Sequence, residues 1–258
     1  AYTMACVARA YWKDRGMLGQ RTEMVTSVQA HPCNPATAAA AGFKVVNLPL
    51  EENGYPSLEA LKAAVSEKTA LIMINNPDDM GIYNPEIKEW VKAAKEVGAL
   101  CFYDHANFNG VMGKLSAREL GFDACMFMLH KTFGAPKAGG GPAVGAFGCT
   151  DDLAPYLPTP VVVKSGGRYL LDEDRPKSAG KVREFWGNVP QVVKAYAWAR
   201  AMGTEGIQLA SDISVVANNY MDKRLAEIPG IARSNPQVSQ HRMEMTRWSL
   251  GPLAEETG

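Results

Sequence analysis

The sequence predicts an α/β fold built on a mostly parallel sheet, and three observations carry that expectation. Short apolar runs lack the polar alternation of a half-exposed strand, and helical segments with start and stop signals separate them. The polar residues that follow the runs recur at intervals close to the length of one β-α-β unit. Repetition of that unit implies right-handed crossovers and a mostly parallel sheet.

In chain order, residues 1–11 form an apolar, helix-compatible stretch with no cap or leader before it, and Ala1 is not an initiator. Residues 253–258 resemble a helix C-terminus, so both edges suggest a piece of a longer protein. Residues 24–28 are strand-like, and 43–48 and 70–74 are β-branched or apolar runs suited to strands buried on both faces. Between these two lies a helix at 58–68, capped by Ser57, with Glu59 in the first turn where its charge favours the positive end of the helix dipole. A second helix starts with Asn84 as cap and Pro85 at the first helical position. Ile87, Trp90, Val91 and Ala94 repeat at helical spacing along it, and Gly98 ends it. Strands are expected at 99–103, 125–129 and 143–149, the last after a glycine-rich stretch. Residues 157–183 read as the longest irregular segment. Residues 190–225 turn helical, with Tyr196, Met202, Leu209, Ile213 and Val216 as apolar positions. The division that follows is a large domain over 1–205, then a bridging helix and the beginning of a small α+β domain over 206–258.

Composition narrows the function. Of 258 residues, 47% are apolar and 27 basic side chains balance 27 acidic ones, which excludes a disordered charged segment and gives no electrostatic footprint for nucleic acid or an anionic membrane. No apolar run approaches the roughly 20 residues of a membrane-spanning helix. A small-molecule ligand and a cytoplasmic setting are expected, or the mitochondrial matrix in a eukaryote. Cys6, Cys33, Cys101, Cys125 and Cys149 are odd in number and form no C-x-x-C pair, so they read as buried small hydrophobes, neither a disulfide framework nor a thiolate metal site.

Ligands of open parallel sheets bind beyond the carboxyl ends of strands. Three polar sets stand there: Asn75 and Asn76 after one run, Asp104 after the next, His130 and Lys131 after a third. Asn76, Asp104 and Lys131 are 28 and 27 residues apart. Each alone could be a strand-end cap or a solvated charge. Together, an amine, a carboxylate and an amide suit pyridoxal 5′-phosphate: the lysine forms the Schiff base, the carboxylate keeps the ring nitrogen protonated, and the amide donates to the phenolic oxygen. His31, after the strand-like 24–28, could stack on the ring. The stretch Gly139-Gly140-Gly141-Pro142 fails the dinucleotide fingerprint, because the sixth position is Val144 and a strand follows. Walker-type, H-E-x-x-H and nucleophile-elbow patterns are missing from the sequence.

These residues carry a resemblance. Ala30-His31-Pro32-Cys33-Asn34-Pro35-Ala36-Thr37, Asn76-Pro77 through Gly81-Ile82, Asp104-His105-Ala106-Asn107-Phe108-Asn109, and above all His130-Lys131-Thr132-Phe133 followed by the triple glycine are similar to the glycine cleavage system P-protein family, in its catalytic half. The resemblance covers nearly the whole chain. It implies the type I pyridoxal-phosphate fold, like aspartate aminotransferase, with sites completed across a dimer or heterotetramer. It implies Lys131 as the Schiff-base lysine, Asp104 as the ring-nitrogen partner and His31 as the stacking ring, with Asn76 and His130 among the cofactor-binding residues. The implied reaction is decarboxylation of glycine with transfer of the aminomethyl group to the lipoyl arm of H-protein. The implied partner is a P-protein subunit 1 or fused N-terminal half, and the family's phosphate-binding glycines are expected upstream of Ala1. His105 in place of glycine, Pro32-Cys33 in place of Gly-Thr, Gly134 in place of a small hydroxyl residue and Lys137 in place of histidine depart from the family pattern and bear on substrate fit. The alternatives are a cysteine desulfurase-like lyase, which needs a mobile cysteine later than Cys149, and a non-catalytic subunit.

Overall fold

The computed structural model describes residues 1–137, 143–183, 187–238 and 240–251. Its centre is a six-stranded sheet of β1 (Glu23–Ser27), β2 (Lys44–Leu48), β3 (Thr69–Asn75), β4 (Leu100–His105), β5 (Ala124–Met128) and β6 (Gly145–Cys149), in the order β2-β1-β3-β4-β5-β6. Neighbours are parallel throughout, except that β6 runs antiparallel to β5. Every residue of β3 and β4 is buried, which explains why their sequences are apolar on both faces.

Helices cover both sides. On one, α1 (Tyr2–Asp14) and α2 (Cys33–Ala40) set Met4, Val7, Trp12 and Ala38 against Leu71, Met73 and Phe102. On the other, α3 (Leu58–Ala64) and α4 (Ile87–Glu96) set Leu61, Trp90 and Val91 against Ile72, Ile74 and Cys101. The helical spacing at 87, 90, 91 and 94 is therefore the stripe that α4 buries, and each such large side chain adds about 1.5–3 kcal/mol.

Several boundaries differ from expectation, each for a local reason. The helix expected over 58–68 stops at Ala64, because Val65 takes an extended backbone with ψ 142°; the Ser57 cap holds, accepting from the Ala60 N–H at 3.1 Å. The helix expected from Pro85 begins at Ile87, and Asn84 caps the entering turn by accepting from the Glu86 N–H. The Leu157–Arg183 region is not irregular. It contains the hairpin of β7 (Val161–Ser165) and β8 (Arg168–Asp172), closed by Gly166 and Gly167, both at positive φ as a two-residue turn between strands requires. Only Cys101 among the cysteines is buried; the other four are half-exposed and all five are free thiols. The expected triple glycine turn and the helix end at 253–258 lie outside the described residues.

The long helix α5 (Val189–Leu225) is broken at Gly203, whose φ of 61° and ψ of −177° separate two helical rods. Beyond it, the short strands β9 (Ala232–Arg233) and β10 (Trp248–Ser249) pair, and the segment between them returns to the large sheet domain. The Met243 N–H donates to the Gly81 carbonyl at 2.8 Å and Asn235 Nδ2 donates to the Gly54 carbonyl. No described helix is long and apolar enough to cross a membrane.

Candidate functional site

The order β2-β1-β3 reverses direction at β1, and in sheets of this kind the crevice at the reversal binds the ligand. The carboxyl ends of β1, β3, β4 and β5 bring His31 and Asn34, Asn75, Asp104, and His130 and Lys131 to that edge.

Asp104 is the centre of it. The strand register sets Asn75 directly opposite Asp104, so the two side chains leave the sheet on the same face. From above, Asn34 at the start of α2 donates through Nδ2 to Asn75 Oδ1 at 2.7 Å and to Asp104 Oδ2 at 3.0 Å. The other carboxylate oxygen accepts from the Ala106 N–H at 2.9 Å. Burial pushes the Asp104 carboxyl up from its ordinary value, while the Ala106 N–H, the Asn34 amide and the Lys131 charge pull it down. At 1% exposure it makes no ion pair among the described residues.

Lys131 is exposed in the turn that follows β5, which its N–H closes on the Met128 carbonyl. Neighbouring His130 is half-buried, with an enclosed Nδ1 that has no partner among the described residues, and burial lowers its pKa. His31 is half-buried in the loop before α2. Its Nδ1 accepts from the Cys33 N–H at 3.1 Å.

Asn76 stands differently from its neighbour. It is one residue past Asn75 and turned away, and both ends of its amide engage Asn84: Oδ1 accepts from the N–H at 2.7 Å and Nδ2 donates to the carbonyl at 3.1 Å. Its own carbonyl accepts from the Tyr103 hydroxyl. The amide on the face of Asp104 is that of Asn75, and the period-2 alternation of strands is the signal that distinguishes them.

Asn34 and Glu244 were not singled out from the sequence, and His105 was read there as bearing on substrate fit. Asn34 is completely buried. His105 lies on the opposite face from Asp104, stacked on Phe127 at 5.1 Å and 5° and flanked by Tyr103 and Phe108. Burial lowers its pKa to about 3. Glu244 arrives on the returning C-terminal segment. Both its carboxylate oxygens are enclosed, and burial raises its pKa to about 7, with the Glu244 and Gly110 N–H groups and then the Lys131 charge opposing. Gly110 leaves room for it: a Cβ there would meet Oε2 at 2.6 Å.

The arrangement can hold a planar cationic heterocycle at Asp104 and present an amine to a carbonyl at Lys131. Comparison with known proteins agrees with this fold. The aminotransferase class-V family model matches residues 2–254. A probable glycine dehydrogenase (decarboxylating) subunit 2 of Thermococcus onnurineus is 43% identical over the whole chain, which covers 51% of that protein. Its counterpart in Fervidobacterium nodosum is 45% identical over 88% of the chain and 47% of its own length. The chain thus spans about half the length of the curated relatives it matches. A crystal structure of glycine decarboxylase (P-protein) of the glycine cleavage system, in inhibitor-bound form, superposes with a TM-score of 0.76 at 21% identity, covering 93% of this chain and 55% of that one.

Proposed function

The chain belongs to the aminotransferase class-V family, and from that premise we propose that it supplies the catalytic half of a pyridoxal 5′-phosphate-dependent glycine decarboxylase. The observation that carries this reading is Asp104: a buried carboxylate, held by two hydrogen-bond donors and without a cationic partner among the described residues. An unpaired buried anion is costly, and a protonated ring nitrogen would supply its counter-charge. The donor set fits the cofactor.

Lys131 provides the amine for covalent attachment; its exposed position after β5 leaves it accessible to an aldehyde. Asp104 would keep positive charge on the ring nitrogen, and His31, its Nδ1 held by the Cys33 N–H, would lie against the ring. When bound, pyridoxal phosphate accepts the electron pair released as the glycine carboxylate leaves as carbon dioxide. The protein's task would be to orient the glycine carboxylate for that loss, and Asp104, Asn34 and Asn75 are enclosed away from water. His130 and Asn76 belong to this reading as the flank of Lys131 and the clamp of the adjoining loop. The aminomethyl group then passes to the lipoyl arm of H-protein, and a subunit 1 or fused N-terminal half completes a dimer or heterotetramer. The division at 205/206 falls just beyond the Gly203 break, where a small domain would begin. A cysteine desulfurase-like activity, the second reading, needs a nucleophilic thiol later in the chain than Cys149.

In the full-length protein, Lys131→Ala is expected to abolish both the visible absorption band formed with pyridoxal phosphate and the H-protein-dependent exchange of glycine's carboxyl carbon with bicarbonate. Exchange that survives in Lys131→Ala overturns the reading.

A further inference from the structure

Asn34, Asn75 and Asp104 come from three different β-α units yet form one hydrogen-bonded row, exposed 0%, 7% and 1% respectively. The chemistry of an ionised carboxylate dictates the row's direction. Asp104 can only accept, so Asn34 must turn its NH₂ toward it. That NH₂ has a second hydrogen, and Asn75 Oδ1 takes it at 2.7 Å. Asn75 lies in register with Asp104 on the adjoining strand, so it braces the Asn34 amide from the same rigid sheet that carries the carboxylate. Asn75 Nδ2 is left enclosed with no partner among the described residues. A donor is thus forgone at Asn75 while Asn34 is held as a donor to Asp104, an arrangement with a purpose at the carboxylate and none in packing.

We propose that Asn34 is a positioning residue for Asp104: braced by Asn75, its amide fixes the plane of the carboxylate and favours the anionic form that a ring nitrogen requires. The role in catalysis rests on the cofactor reading above, while the effect on Asp104 does not. The other charged or titratable side chains facing Asp104 are Lys131 from the turn after β5 and Cys33 at the start of α2. His105, on the same strand, points to the other face.

The test uses two variants. Asn34→Leu removes the donor without adding charge. Asn34→Asp keeps the volume and sets a second carboxylate against Asp104 Oδ2. The midpoint of Asp104 is read by carboxyl carbon NMR in the chain labelled at aspartate and without cofactor, with Asp104→Asn assigning the signal. Loss of a hydrogen bond to a charged acceptor is expected to raise that midpoint by about one to two pH units in Asn34→Leu, and more in Asn34→Asp. In the full-length protein loaded with pyridoxal phosphate, the pH midpoint of the visible absorption band should move in both variants, a change that loss of packing alone would not cause. An Asp104 midpoint unmoved in a folded variant overturns the proposal. Should Asn34→Leu fail to fold, the isosteric Asn34→Asp decides by itself. If the native protein takes up no pyridoxal phosphate, the cofactor reading falls, and the titration without cofactor still decides whether Asn34 governs Asp104.

Discussion

Two buried titratable side chains outside the Asp104 row give opposite responses to pH. His105 is neutral inside its aromatic stack, with its pKa lowered from 6.5 to about 3. The unfolded chain takes up that proton first, so the stability His105 contributes is present above pH 6.5 and is lost as pH falls toward 3. Phenylalanine can replace the stack without the proton. His105→Phe is therefore expected to reduce acid sensitivity between pH 6 and 4, which urea unfolding at a series of pH values would measure. Glu244 has the reverse sign. Its pKa rises from 4.5 to about 7, so the folded state binds the proton more tightly, and stability present below pH 4.5 is lost as pH climbs through 7. Glu244→Gln should flatten that decline, and at pH 8 it should be more stable than the native chain by about 1–3 kcal/mol, because no buried charge then forms. A variant as pH-sensitive as the native chain over 5–8 would show that Glu244 is solvated.

At the scale of elements, alternation decides what each strand end does. The sequence was legible where pattern and punctuation agree: Ser57 caps α3, α4 buries the stripe Ile87, Trp90, Val91 and Ala94, and polar residues at strand ends mark the binding edge. It was less legible where one residue changes the face. Asn75 and Asn76 are adjacent and chemically identical, and only the pairing of Asn75 with Asp104 tells which one looks into the site. Asn34 carried no signal of its own, since its role comes from contacts 41 and 70 residues away in sequence. The hairpin of β7 and β8 was obscured by its composition, in which Lys, Arg and Gly surround two short apolar runs. Asn76 nevertheless has work as a clamp on the loop entering α4. Asn76→Ala removes two buried hydrogen bonds to Asn84 and is expected to lower stability by about 2–3 kcal/mol. Amide exchange should rise first at Tyr83, Asn84 and Glu86; uniform protection across that loop would count against the clamp.

For the molecule as a whole, the apolar surface is uneven. Tyr196, Leu209, Ile213, Val216 and Tyr220 on α5 are all more than half exposed, as are Tyr169 and Val162 on the hairpin. Leu209, Ile213, Val216 and Tyr220 recur at helical spacing along the second rod of α5, and an exposed apolar stripe favours association. Ile213→Lys combined with Val216→Lys is expected to lower the sedimentation coefficient of this chain at high concentration while leaving its unfolding free energy within about 0.5 kcal/mol. No change in sedimentation would mean that the helix face does not drive association.

The row from Asn34 through Asn75 to Asp104 also bears on how the molecule is made. Its members join segments far apart along the chain, so no short local fragment can display it, and forming it requires closing loops of 41 and 70 residues. A vitamin-derived ligand gripped there would reach only molecules whose central sheet is finished. Supply of that nutrient would then raise the folded fraction of newly synthesised chains by mass action.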